Sequence, residues 1–110
     1  MRELDIKKEI FGKMNQFKDQ EMDDLFEGIL ALETVEECYQ FFVDLCTANE
    51  LLSMKQRLQV AKLIRSGETY THIQEKTGSS STTISRVKRC LDYGENGYHL
   101  VLDRVDADNK

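Results

Sequence analysis

Apolar residues along this chain recur at three- and four-residue intervals, no stretch shows convincing two-residue alternation, and proline is absent. That spacing predicts helices and an all-α class. The first firm helix spans about 21–32, with Met22, Leu25, Phe26, Ile29 and Leu30 on one side. Thr34, followed three positions later by Glu37, reads as a capping box that satisfies two otherwise orphaned backbone amides. The helix it opens runs to about 46 and carries Cys38, Tyr39, Phe42, Leu45 and Cys46. Thr47 and Glu50 repeat the box and start a long helix to about Ser66, which Gly67 stops. Residues 1–19 are only weakly periodic, through Leu4, Ile6, Ile10 and Phe17, and are expected to form an arm or a helix.

The long helix carries more information than its length. Its polar arc is narrow, centred on Lys55, Gln59, Lys62 and Ser66, while Leu51, Leu52, Met54, Leu58, Val60, Ala61, Leu63 and Ile64 cover most of the remaining circumference. A helix apolar on so many sides has to be enclosed on several of them. A chain of this size buries only about 60–65% of its unfolded surface, so few covering elements are available. An interleaved dimer would supply the missing ones.

Residues 69–91, TYTHIQEKTGSSSTTISRVKRCL, contain a second pattern. A short helix over about 70–77, with Thr69 as N-cap, ends at Gly78, whose freedom to take left-handed backbone suits a tight turn. A serine-rich turn then caps a helix over about 81–91. Ile73 on the first helix and Ile84, Val87 and Leu91 on the second form a small shared core, leaving Ser81, Thr82, Ser85 and Arg89 on the opposite side. A helix with small, hydrogen-bonding side chains outside can approach base edges in the major groove. The pattern departs from the usual helix-turn-helix at Gln74, where a small residue is commonest, and at Thr77 and Ser79, which replace apolar residues.

Charge changes the picture further. The net charge is −5, yet from Lys55 to Cys90 eight cations (Lys55, Arg57, Lys62, Arg65, Lys76, Arg86, Lys88 and Arg89) face only Glu68 and Glu75. That segment is +6 and the remainder −11, an asymmetry suited to one surface that meets a polyanion. With 40% hydrophobic and 32% charged residues, the chain reads as a soluble globular protein. No apolar run approaches the roughly 18 residues of a membrane span, and the charged N-terminus has no signal-peptide core, so the cytoplasm is the expected compartment. Cys38, Cys46 and Cys90 are widely spaced and form no metal-binding pattern, so they are expected to be buried free thiols and no metal site is expected. His72 and His99 lie far apart with no nucleophile in a motif beside either, which argues against an enzyme.

The run LCTANELLSMKQRLQVAKLIRSGETYTHIQEKTGSSSTTISRVKRCL resembles the Trp repressor family, and more closely the small Trp-repressor-related proteins called the YerC/YecD family. The resemblance covers roughly residues 21–105 and implies a six-helix fold that interlaces with a second subunit, its fourth and fifth helices forming the helix-turn-helix. The expected division is an N-terminal segment 1–19, a helix-turn-helix domain 20–106 and a tail 107–110. The resemblance assigns base reading to Ser80, Ser81, Thr82, Thr83 and Ser85. Two basic positions of the family correspond to Thr71 and Gln74, so phosphate contacts are expected to shift to Lys76, Lys88 and Arg89.

The family also binds tryptophan, and three polar ligand positions persist as Thr47, Arg57 and Arg86, the first two contributed by the opposite subunit in the family's dimer. Val87 stands where the indole lies against a glycine, Cys90 where a serine lies near the amino group, and Asp44 and Cys46 at two apolar wall positions. A β-branched side chain in place of glycine fills the slot of the ring, so tight tryptophan binding is not expected and no cofactor is assigned. Each retained residue also has a plain structural role: Thr47 as an N-cap, Arg57 paired with an acid such as Asp44 or with a carbonyl, Arg86 beside phosphate. The function expected is that of a homodimeric, sequence-specific DNA-binding regulator, a repressor on a near-palindromic operator. The alternative is a helix-turn-helix module that docks on another protein without reading an operator.

Overall fold

The computed structural model describes residues 14–108; the expectations for residues 1–19 and 107–110 fall partly outside that range. After helical backbone at 14–17, six helices follow: α1 (Gln20–Leu30), α2 (Val35–Leu45), α3 (Ala48–Arg65), α4 (Tyr70–Thr77), α5 (Ser81–Tyr93) and α6 (Gly97–Asp108). No strand occurs among the described residues.

Local chemistry sets the boundaries. Asp19 caps α1 through its carboxylate, which accepts the Met22 amide at 2.7 Å. Thr34 caps α2, its Oγ1 accepting the Glu37 amide at 3.0 Å, but the return bond of the expected box is displaced. Glu37 Oε1 accepts from the amide of Glu33, one residue before the cap, at 2.8 Å. At α3 the box is complete: Thr47 Oγ1 accepts the Glu50 amide and Glu50 Oε1 accepts the Thr47 amide at 2.8 Å. The Thr47 amide, and after it the Thr47 hydroxyl, favour the ionised carboxylate and hold the Glu50 pKa below its ordinary value. Gly94 ends α5 where a Cβ would collide with the Cys90 carbonyl. α6 follows in residues whose polarity pattern alone did not single out a helix.

The core gathers on α3. Val60 and Ala61 of α3, Ile73 of α4, Ile84 and Val87 of α5 and Leu102 of α6 are buried, with Leu58, Leu63, Ile64, Leu91 and Tyr98 packed around them. Helix α3 touches α2, α4, α5 and α6, so it is the axis on which the others hang. Neither α1 nor α2 buries a residue. Their apolar stripes stand open, Leu30 at 83% exposure and Tyr39 at 70%, as do Leu52 and Met54 of α3. One copy of the chain thus covers α3 on the side of α4–α6 and leaves much of its other apolar surface in water.

Candidate nucleic-acid interface

Helices α4 and α5 form the helix-turn-helix. Thr69 caps α4 by accepting the His72 amide at 3.2 Å. α4 ends at Gly78, which takes the left-handed conformation at φ 71°. Three polar contacts fix the turn. Thr77 Oγ1 donates to the Ile73 carbonyl at 2.7 Å and accepts the Ser79 amide at 3.1 Å, while Gln56 Nε2 of α3 donates to the Thr77 carbonyl at 3.0 Å. This accounts for Thr77 at a position that usually carries an apolar residue: its hydroxyl closes the turn. Ser79 is 4% exposed and its Oγ has no hydrogen-bond partner. Gln56 is a tether that sequence reasoning missed, because its partner is a backbone carbonyl 21 positions away.

The two sides of α5 differ sharply. Ile84 and Val87 are buried against Ile73, whereas Ser81, Thr82, Ser85 and Arg89 are exposed. Ser80 and Thr83 are partly committed within the helix: Ser80 caps α5 by accepting the Thr83 amide at 3.1 Å and donates its own proton to Thr83 Oγ1 at 3.2 Å. The outward hydroxyls left uncommitted are therefore Ser81, Thr82 and Ser85. Lys76 and Arg89 are exposed, and Lys88 is half-buried with its ammonium on Asp92 at 3.1 Å. Thr71 and Gln74 are exposed on α4.

The residues expected around an effector separate into two groups. Arg57 and Arg86 line one cleft of about 360 Å³ with Ser53, Gln56, Thr83, Cys90 and Tyr98, and Val87 forms part of its wall. Arg57, assigned by the resemblance to the opposite subunit, lines this cleft from the same chain. Thr47 is engaged as the α3 cap, and Asp44, exposed on α2, forms no ion pair with Arg57 among the described residues. Burial raises the Tyr98 pKa, with Cys90 adding to the rise and Arg57 and Arg86 opposing it.

The histidines stand apart in structural roles. His72 Nδ1 lies 3.6 Å from the Glu68 carboxylate, and His99 Nε2 lies 2.9 Å from the Leu91 carbonyl. The three thiols are free but not buried as expected: Cys38 and Cys90 are exposed and Cys46 is partly so, because α2 buries no residue in one copy and Cys90 lines the open Arg57–Arg86 cleft. No metal-binding cluster or membrane-crossing helix occurs among the described residues.

Comparison with known proteins agrees with this architecture. The family model described as Trp repressor protein matches residues 20–106. The protein YerC of Bacillus subtilis (strain 168) is 53% identical over 93 residues, spanning 84% of this chain and 89% of its own. A crystal structure from Staphylococcus aureus superposes with a TM-score of 0.82 at 52% identity, covering 84% of this chain and 93% of that one. A TrpR-like protein of Eubacterium eligens gives 0.81 at 50% identity, covering 84% and 95%. With sequence, helix order and the α4–α5 motif all in agreement, the chain belongs to the Trp repressor family.

Proposed function

We infer that the chain is a homodimeric, sequence-specific DNA-binding regulator that represses transcription from a near-palindromic operator. The observation that carries this reading is the division of α5: Ile84 and Val87 are buried, while Ser81, Thr82, Ser85 and Arg89 stand outward beside a segment of net charge +6. Small hydroxyls let the helix axis come close to base edges, and each can donate to or accept from them. Lys76, Arg89 and, with its ammonium released from Asp92, Lys88 are proposed to grip phosphate. The open apolar stripes of α1 and α2 support the second copy, which would place two recognition helices in successive major grooves about 34 Å apart.

The test is duplex binding across a salt series. Cognate and random DNA should both be bound at low salt, with affinity falling steeply as salt rises. Arg89→Ala should lower the slope of log affinity against log salt by about one. A chain that shifts no duplex at low salt is an interaction module instead.

The cleft holding Arg57 and Arg86 is the proposed effector site. Val87 occupies the place of the glycine against which an indole would lie, so tryptophan is proposed not to bind tightly there. Calorimetric titration with tryptophan at micromolar concentration should give no heat of binding, and heats in that range would refute the steric argument.

A further inference from the structure

The polar arc of α3 faces a second cleft, separate from the proposed effector cleft, where α3 meets the end of α4. It measures about 610 Å³ and lies between α3 and the last turn of α4, lined by Leu52, Lys55, Gln56, Gln59, Leu63, Lys76 and Thr77. We propose that this cleft extends the DNA-backbone contact beyond the helix-turn-helix onto α3, seating a phosphate between Lys76 of α4 and Lys55 of α3, with the Gln59 amide as a further donor.

Three observations converge on it. Charge commitment comes first. Of the cations between Lys55 and Cys90, Arg65 is tied to Asp103 and Lys88 to Asp92, while no ion pair among the described residues engages Lys55 or Lys76. Composition comes second: two cations from different helices meet in one cleft whose lining includes no acid. Gln56 has its amide on the Thr77 carbonyl, which fixes the cleft wall and leaves Gln59 as the amide not so engaged.

Placement comes third. Lys76 sits two residues before the Gly78 turn and four before Ser80, the cap of α5. A strand whose bases meet the start of α5 therefore has Lys76 close beside it, and the cleft extends that cationic track from Lys76 to Lys55. Helix α3 would then bear on the nucleic acid with its polar arc while holding the core with its apolar one. Two lysine point charges and an amide carry no base code, so this contact adds affinity and orientation without altering sequence preference.

The inference rests on the DNA-binding reading, and the experiment separates the two. Wild type, Lys55→Gln, Lys76→Gln, the double variant and Lys18→Gln are titrated with one operator-like and one random duplex between 50 and 200 mM salt. Each cleft lysine should lower the salt slope by about one, so the affinity lost across that range shrinks about 3.5-fold per lysine. Both duplexes should respond alike, and Lys18→Gln, at a lysine paired with Asp23 before α1, should match wild type. The charge-preserving K55R/K76R protein should keep the wild-type slope, which guards against a mere folding defect. If wild type binds steeply and Lys55→Gln leaves the slope unchanged, the cleft is no phosphate seat although the DNA reading stands. If wild type shifts neither duplex, both readings fall.

Discussion

Helices α1 and α2 carry apolar stripes much like those of α4 and α5, yet the two halves of the chain end in opposite states. From α3 onward, four apolar side chains (Ile73, Ile84, Val87 and Leu102) close into a core around Val60 and Ala61. Before it, Met22, Leu25, Phe26, Ile29 and Leu30 on α1 and Tyr39, Phe42 and Val43 on α2 are half-buried or exposed. Amphipathic periodicity specifies that a face must be covered, but not by which chain. The C-terminal half finds its cover within one copy. The N-terminal half leaves a groove lined by Val35, Cys38, Tyr39, Phe42, Val43, Leu51 and Leu52, with Lys55 shared between it and the second cleft; in the proposed dimer a second copy fills the apolar part of this groove.

That contrast can be broken by experiment, most severely at the open face. Val43→Asp should turn the dimer into monomer in analytical ultracentrifugation. An unpaired buried charge costs on the order of 3–5 kcal/mol, and two-fold symmetry introduces it twice. If Val43 faces water in solution, as it does at 61% exposure in one copy, the substitution would change stability by no more than about 0.5 kcal/mol.

Within the closed half, Ile84→Ala empties a fully buried site and should cost about 2–5 kcal/mol in denaturant titration. A smaller loss is expected at the turn. Gly78→Ala imposes left-handed backbone on a residue with a Cβ, at roughly 1–2 kcal/mol, with no steric collision because the nearest atom, Gln56 Nε2, is 4.0 Å from the added carbon. Gly78→Asn should recover part of it.

The smallest effect lies where the two halves join. Glu50 has a lowered folded-state pKa, so its stabilising contribution is fully present above the ordinary value of 4.5 and is lost as pH falls through the lowered one. Glu50→Gln should flatten the stability profile in that acid window and leave the profile near pH 7 with the same slope. An unchanged acid limb would show that the capping bond does not bias the carboxylate.

Much of this organisation is legible in the residues, and the exceptions have identifiable causes. Thr47–Glu50 and Thr69 announce helix starts because capping is local, completed within three residues. Gly78 announces the turn because only backbone freedom is involved. The Thr34 box shifts its return bond to Glu33 because a flexible carboxylate can reach either neighbouring amide. Gln56 was invisible as a tether, since nothing in its own neighbourhood marks a carbonyl on α4 as its partner. Helix α6 lacks a clear amphipathic signal, with only Leu102 of its residues buried.

The sequence by itself determined the first five helices, the caps at Thr34, Thr47 and Thr69, the glycine turn and the concentration of positive charge after residue 54, because each depends on backbone geometry or composition over a few positions. Tertiary structure decided which cations are committed to acids, which hydroxyls of α5 are spent on its own cap, and which lysines from α3 and α4 share one cleft. Those outcomes depend on distances between segments that the chain brings together only when α3 is wrapped, and no local pattern encodes them.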